Sequence, residues 1–275
     1  MSVLNIALIS SEEFARSLGK KGDVRDIESY VFKENRDGEI LSLSFLRPLK
    51  HPESIRPLLG VLDVAKAGVI ELSRIDAHFG EIVVAFGCSG IEIGFVIIDS
   101  KADEWIDPEK VRVILDQAGL TSWRIYDDTL KNHELRENLF SKISINNRQK
   151  ESPLIIPVDQ SFNVKGVGLV AIGYVQSGSI SKFDDIEIIP TKVSGVVKSL
   201  QVMDDSVETA FTGDRVGIAL RNVKTQFIQK GSIITNLDSY ALEPKNQSDL
   251  FLEMAPFQKK ILMEGDVIHA SSNLQ

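Results

Sequence analysis

Apolar and polar positions follow two different rhythms along this chain, and the change falls near Lys150. Before it, short apolar runs alternate with helical periods. Val3 to Ile9 is almost wholly apolar, as expected of a strand buried on both faces. Ser10 with Glu13 makes a capping-box pattern that predicts a short helix through Leu18. Ile27 to Glu34 and Ile40 to Leu46 alternate around Asn35-Arg36-Asp37-Gly38, a hairpin signal. Glu53 to Lys66 carries Ile55, Leu58, Leu59, Leu62 and Ala65 at helical spacing. Gly68 to Leu72 and Gly94 to Asp99 predict buried strands, with a helix over Ala77 to Phe86 between them. Pro108 to Ala118 predicts a helix capped by Asp107 and stopped by Gly119. Trp123 to Tyr126 then predicts a last strand and Leu130 to Ile143 a last helix. This alternation implies an α/β domain over residues 1–149, with a mainly parallel sheet covered by helices.

From Pro153 the helical period disappears. Short β-rich runs follow: Leu154 to Val158, Val167 to Val175, Asp185 to Ile189, Gly195 to Val202, Arg215 to Leu220 and Ser232 to Thr235. Turn residues separate them, among them Ser177-Gly178, Asp204-Asp205 and Gly213-Asp214. Closely spaced strands without a helix predict a small closed barrel over residues 150–242, because closure removes exposed edges. Polar Asn146 to Pro153 reads as the linker. Residues 243–275 hold a further β segment, from Leu250 to Phe257 and on to Ile268.

Composition narrows the function classes. The chain has 275 residues, 43 % of them hydrophobic and 25 % charged, ordinary values for a folded soluble protein. Net charge is −8, with 20 basic against 24 acidic residues up to Lys150 and 11 against 15 after it. Neither half is a basic arm, so nucleic acid contact requires a local patch. A single cysteine, Cys88, excludes an internal disulfide and a cysteine metal cluster. The apolar stretch Ile82 to Ile98 is broken by Gly87, Ser89, Gly90, Glu92 and Gly94, so it is not a membrane span. Without a targeting signal at Met1 to Ile9, the expected location is the cytoplasm, with neither membrane nor DNA as partner.

The segment Val158-Asp159-Gln160-Ser161-Phe162-Asn163-Val164-Lys165-Gly166-Val167-Gly168-Leu169-Val170 resembles the start of domain two of the translational GTPases. Within that group it is most similar to elongation factor Tu and the selenocysteine-specific elongation factor. Gly178, Ile186 to Pro190, Val197 to Gln201 and Ala210 to Arg221 continue in register, most specifically at Thr212-Gly213-Asp214-Arg215-Val216-Gly217-Ile218-Ala219-Leu220. The resemblance implies a Greek-key barrel preceded by a P-loop GTPase-like sheet domain. It also implies that Phe251 to His269 opens a third domain, a partial second barrel.

Each nucleotide-site position then has an expectation. The family places GxxxxGK[ST] after its first strand, where this chain reads Ser10-Ser11-Glu12-Glu13-Phe14-Ala15-Arg16-Ser17. Both glycines and the lysine are replaced. A phosphate cradle needs glycine for converging N–H groups, and Glu12 and Glu13 bring carboxylates to the place of the phosphates. If His51 is placed on the histidine that follows the family's DxxG, the magnesium aspartate becomes Arg47 and the glycine becomes Lys50. A cation there opposes phosphoryl transfer. No threonine precedes Thr121, and Leu18 to Asp26 is too short for the first switch. Only Ser100-Lys101-Ala102-Asp103 matches the guanine motif in part, with Lys101 over the base and Asp103 accepting from it.

Other chemistry is sparse. His51, His78, His133 and His269 show no ligand spacing, His51 reads as an exposed loop residue, and no metal is expected. Cys88 reads as a buried thiol, and Asp127-Asp128, Asp184-Asp185 and Asp204-Asp205 as solvated turn residues. No catalytic residue is assigned. For the barrel, the resemblance implies binding of a tRNA acceptor end, with Lys165, Arg215 and Arg221 as candidate contacts. The favoured expectation is an elongation factor-like paralogue that has lost GTP hydrolysis and needs no cofactor. Its partners would be tRNA, the ribosome or another translation factor. Alternatives are a protein-interaction regulator without RNA binding, and a working GTPase that uses GTP or GDP through divergent loops.

Overall fold

The computed structural model describes the chain apart from residues 1, 37, 100, 101, 103, 128, 129, 144–151, 238, 240, 241, 243–246, 256–260, 269 and 271–275, and the side chain at 23. Two compact units emerge, one built on Met1–Ile143 and one on Ser144–Leu250. The expected linker, Asn146 to Pro153, lies almost entirely outside the described residues.

In the first unit, β1 (Ser2–Ile9) is followed by α1 (Glu12–Leu18), then β2 (Lys20–Val24), β3 (Ile27–Arg36) and β4 (Glu39–Pro48). Next come α2 (Arg56–Val64), β5 (Ala67–Leu72), α3 (Ala77–Ser89), β6 (Ile93–Ile98), α4 (Pro108–Gln117), β7 (Arg124–Tyr126) and α5 (Asn132–Phe140). The sheet order is β2-β3-β4-β1-β5-β6-β7. Strands β4, β1, β5, β6 and β7 run parallel, while β2, β3 and β4 form an antiparallel edge. Strand β2 was not expected. Its Lys20-Lys21 start suits an edge, where charge discourages pairing with another chain.

Leu4, Ile6 and Leu8 of β1 point to one face, as the period of two requires, and pack with Leu41, Leu43 and Phe45 of β4. Ala15 and Leu18 of α1 and Leu135, Leu139 and Phe140 of α5 cover that face. Near the opposite edge, Gly68 and Gly94 are paired across β5 and β6 beneath the Trp123 indole. A Cβ on Gly94 would lie 2.0 Å from that ring, so glycine is the residue the tryptophan permits. Trp123 is buried, stacks edge-on against Phe86 at 4.8 Å and donates from Nε1 to the Ile91 carbonyl at 3.0 Å.

The second unit holds β8 (Ile156–Val164), β9 (Gly168–Tyr174), β10 (Ser179–Ser181), β11 (Asp185–Ile189) and β12 (Val193–Val202). It continues with β13 (Asp205–Val207), β14 (Thr209–Phe211), β15 (Arg215–Arg221) and β16 (Ile233–Asn236). The ring β11-β16-β8-β9-β15-β12 closes through a β11–β12 pairing into a six-stranded antiparallel barrel. All six expected strands are present. The three-residue β10, β13 and β14 were missed because they are too short to show a period. Gly166 and Gly168, at the β8–β9 hairpin, have φ of +84° and +105° with open space around them. They serve the turn's left-handed backbone conformation.

After Leu242 none of the described residues lies in a strand. The expected opening strands of a further barrel are therefore absent among them. Leu250, Phe251, Ile261, Met263 and Val267 are exposed, so the apolar pattern there finds no ladder or core to join.

Candidate functional site

Beyond the carboxyl ends of β1, β5 and β6 the first unit opens a cleft of about 950 Å³. Open α/β sheets bind ligands at this edge, because loops and helix starts converge there. Ser11, Arg47, His51, Glu71, His78 and Trp105 contribute to its lining.

The loop after β1 carries its own charges. Ser11, not Ser10, caps α1: its Oγ accepts from the Phe14 N–H at 3.1 Å. The N–H of Ser11 in turn donates to the Glu71 carboxylate at 2.7 Å. Glu12 accepts from Lys21 at 2.8 Å and Arg16 at 2.6 Å, and these hydrogen bonds, Lys21's first, lower its pKa to about 2. Arg47 donates from Nε to the Ser10 carbonyl at 2.8 Å and from a terminal nitrogen to Glu28 at 2.9 Å. Glu28 also holds Lys21 at 2.7 Å and accepts from the Tyr30 hydroxyl at 3.0 Å. Burial would raise the Glu28 pKa, but the bonds from Lys21, Tyr30 and Arg47 outweigh it and hold the carboxyl below its usual range. Glu28 is only 4 % exposed, so an unpaired charge there would carry a large desolvation cost. The acid on the loop's amide is thus Glu71, from the far end of β5, rather than Glu12 or Glu13. Its approach is set by the β1–β5 pairing, which no local pattern announces.

Of the guanine motif, Lys101 and Asp103 lie outside the described residues. Ala102 donates its N–H to the Asp99 carbonyl at 3.1 Å, and Trp105 lines the cleft with 82 % of its surface exposed.

A second cluster corrects two expectations about histidine. His51, on the turn after β4, is buried: its side chain is 3 % exposed. His78 and Glu81 stand one turn apart at the start of α3, where Asp76 caps the helix by accepting from the Phe79 N–H at 2.9 Å. The His51 and His78 rings lie 4.6 Å apart at 32°. Ligand-capable atoms of His51, His78 and Glu81 all fall within 4.8 Å of one another. His51 Nε2 and His78 Nδ1 are buried without a hydrogen-bond partner. Leaving such an atom unsatisfied costs roughly 1–3 kcal/mol. Burial first, and the neighbouring His78 second, push the His51 pKa below its usual value. The i, i+3 spacing of His78 and Glu81 was the one local signal available. His51 joins them only through the fold.

His133 is exposed on α5, and His269 lies outside the described residues. Cys88 is exposed rather than buried, because it falls in the last turn of α3 on the side away from the sheet. Asp184 serves as a turn acceptor for the Ser181 N–H at 2.7 Å, as its place in the sequence suggested.

On the barrel, Lys165 is exposed beside Gly166, at the hairpin between β8 and β9. Arg221 is exposed at the end of β15 whose Leu220 pairs with Leu169. Those two therefore share one end of the barrel. Arg215 sits at the other end of β15, paired with Tyr174, which puts it about 20 Å from Arg221 at about 3.4 Å per residue. The three expected contacts do not form one patch. Lys198 and Lys224 complete the Lys165–Arg221 end instead. Lys198 Nζ donates to the Val167 carbonyl at 2.7 Å, and exposed Lys224 precedes Thr225, whose hydroxyl accepts from Asn163 at 2.8 Å. Phe162, Val164 and Val167 are exposed among these cations.

The fold and these sites can be set against known proteins. The family model for elongation factor Tu domain 2 matches residues 168–235, most of the barrel. An uncharacterized protein of Methanocaldococcus jannaschii is 26 % identical over 268 residues, covering 97 % of this chain and 82 % of that protein. The selenocysteine-specific elongation factor of Mus musculus is 39 % identical over 100 residues, covering 36 % of this chain and 17 % of that one. The structure of translation elongation factor SelB from Methanococcus maripaludis, in complex with the GTP analogue GppNHp, superposes with a TM-score of 0.68 at 22 % identity. It covers 87 % of this chain, which spans 56 % of the length of SelB. Residues 168–235 therefore match the elongation factor Tu domain 2 family, and the mixed-sheet domain with its barrel shares the fold of SelB. Over about 100 residues it is similar in sequence to the selenocysteine-specific elongation factors. Among the described residues, no helix is long and apolar enough to cross a membrane.

Proposed function

We propose that this protein is an elongation factor-like paralogue that does not hydrolyse GTP and binds RNA of the translation machinery through the Lys165–Arg221 end of its barrel. One observation supports the first half: the loop after β1, where the family's phosphate motif falls in the sequence, is already bonded to the chain's own charged side chains. Glu71 takes the Ser11 N–H, and Arg47 is committed to Glu28 and the Ser10 carbonyl. Phosphate oxygens approaching that loop meet carboxylates, and magnesium meets a guanidinium. The residues present do not suit a magnesium nucleotide, since phosphoryl transfer depends on positioned cations and N–H donors.

The RNA half is supported by chemistry at the barrel end. Four cations stand among exposed Phe162, Val164 and Val167, the mixture that grips phosphate while offering apolar surface to bases. A net charge of −8 does not oppose this, because a local groove sets the field that an RNA end feels. The test pairs two measurements on the whole chain. Fluorescent GTP and GDP with magnesium are titrated and phosphate release is followed, with neither saturation nor turnover expected. Unmodified and aminoacylated tRNA are then titrated at low salt, with saturable binding expected. Micromolar nucleotide binding with turnover would overturn the first half. Absence of RNA binding would overturn the second and leave a protein-interaction regulator.

A further inference from the structure

We propose that His51, His78 and Glu81 form a binding site for one first-row divalent metal ion, with zinc the best match to the ligand set. Two imidazoles and a carboxylate supply borderline donors and one negative charge, a set that suits zinc in an open site. Their donor atoms already lie within 4.8 Å of one another, and His51 Nε2 stands 3.9 Å from Glu81 Oε1. Tetrahedral zinc, with bonds of about 2.0–2.1 Å, separates its ligands by about 3.3 Å. Closing on an ion therefore needs a shift of about an ångström, and Glu81, with a side chain 45 % exposed, is free to rotate inward.

The second observation is the pair of orphaned nitrogens. His51 is buried to 3 % side-chain exposure, yet its Nε2 lacks a hydrogen-bond partner, as does His78 Nδ1. Buried polar atoms are normally satisfied, so two within one cluster point to a missing species bound between them. The acids facing His51 are Glu81 and Glu53, so a cation held there meets negative charge. His51 and His78 both line the cleft, so an ion held by the two rings sits at the cleft wall. Three protein ligands leave its fourth position for water or for an anionic group entering the cleft. This site is independent of the RNA reading, since none of its residues lies in the barrel.

The whole chain, dialysed against a chelator, is titrated with Zn²⁺ in competition with a chromophoric chelator, and separately with Co²⁺ while the visible spectrum is followed. The expected result is one equivalent bound and a Co²⁺ absorption band typical of four-coordinate nitrogen and oxygen ligation. His78→Gln and Glu81→Gln should each weaken Zn²⁺ by about tenfold or more, as loss of a ligand must match at least the loss of a supporting hydrogen bond. His133→Ala, on the exposed face of α5, should leave binding unchanged. Glu81 is largely exposed, so Glu81→Gln tests the site even if a histidine variant folds poorly, and matched circular dichroism spectra confirm the fold. Substoichiometric Zn²⁺, or equal affinity in wild type and Glu81→Gln, would overturn the proposal. A bridging water would give that second outcome.

Discussion

The backbone N–H of Ser11 donates to the Glu71 carboxylate at 2.7 Å, so the first free amide of α1 is committed to an acid of the same chain. In a nucleotide-binding sheet that amide faces phosphate. In the function proposed above, this bond opposes a phosphate at that amide and the neighbouring Arg47 opposes its magnesium. We expect the wild-type chain to bind GDP more weakly than about 1 mM, which corresponds to about −4 kcal/mol. Glu71→Gln should not bring the affinity into the micromolar range, because Arg47 and the non-glycine loop remain. A micromolar titration of Glu71→Gln would show that a single carboxylate closes an otherwise working site.

Glu28 is the centre of the adjoining network, bonded to Lys21, Tyr30 and Arg47 while nearly fully buried. Its folded pKa is depressed below the ordinary carboxylate value of about 4.3. Its stabilising contribution is therefore complete above that value and is lost as pH falls through the folded pKa. Thermal melts between pH 7 and pH 3 should show the wild type losing stability below about pH 4 more steeply than Glu28→Gln. At pH 7, Glu28→Gln should cost about 2–3 kcal/mol, less than a fully buried pair because Lys21 and Arg47 reach solvent. Parallel pH profiles for the two proteins would refute the assignment.

Gly94 and Trp123 make a tighter constraint. A Cβ on Gly94 would fall 2.0 Å from the indole, and one on Gly68 would fall 2.5 Å from it. Gly94→Ala should therefore destabilise the first unit at or above the upper end of the usual overpacking range of about 1–3 kcal/mol. Trp123→Leu leaves a cavity of its own, but the double variant should be less destabilised than the sum of the two singles. Additive losses in a double-mutant cycle would mean that the two positions do not clash.

Long elements were legible because their pattern is local. The β3–β4 hairpin, α4 with its Asp107 cap, and six barrel strands follow from period and turn chemistry alone. What escaped was joined at a distance. Glu71 reaches Ser11 from another strand, and Glu28 collects Lys21 and Arg47 across three strands of one sheet edge. His51 and His78 stand 27 residues apart, on a turn and a helix, so only the packing of those elements brings the rings together. Even the cap of α1 moved by one residue, since Ser10 and Ser11 offer the same hydroxyl and the strand's end chooses between them. Arg215 was grouped with Arg221 because both flank one motif, although a strand carries its two ends far apart.

That separation makes the barrel reading sharp enough to test residue by residue. Lys165, Arg221 and Lys224 share one end, while Arg215 lies about 20 Å away along β15. Binding of a tRNA acceptor end, measured by anisotropy over a range of salt, should weaken when Lys165, Arg221 or Lys224 is changed to alanine. Each change should also reduce the slope of log K against log salt by about 0.7–1, the signature of one lost phosphate contact. Arg215→Ala should leave both quantities within error. Phe162→Ala should weaken binding by about 1–3 kcal/mol with the salt slope intact, because stacking releases no counterions. A pattern in which Arg215 matters and Lys165 does not would move the RNA to the opposite end of the barrel. Uniform small losses at all four cations would instead indicate diffuse charge attraction without a defined site.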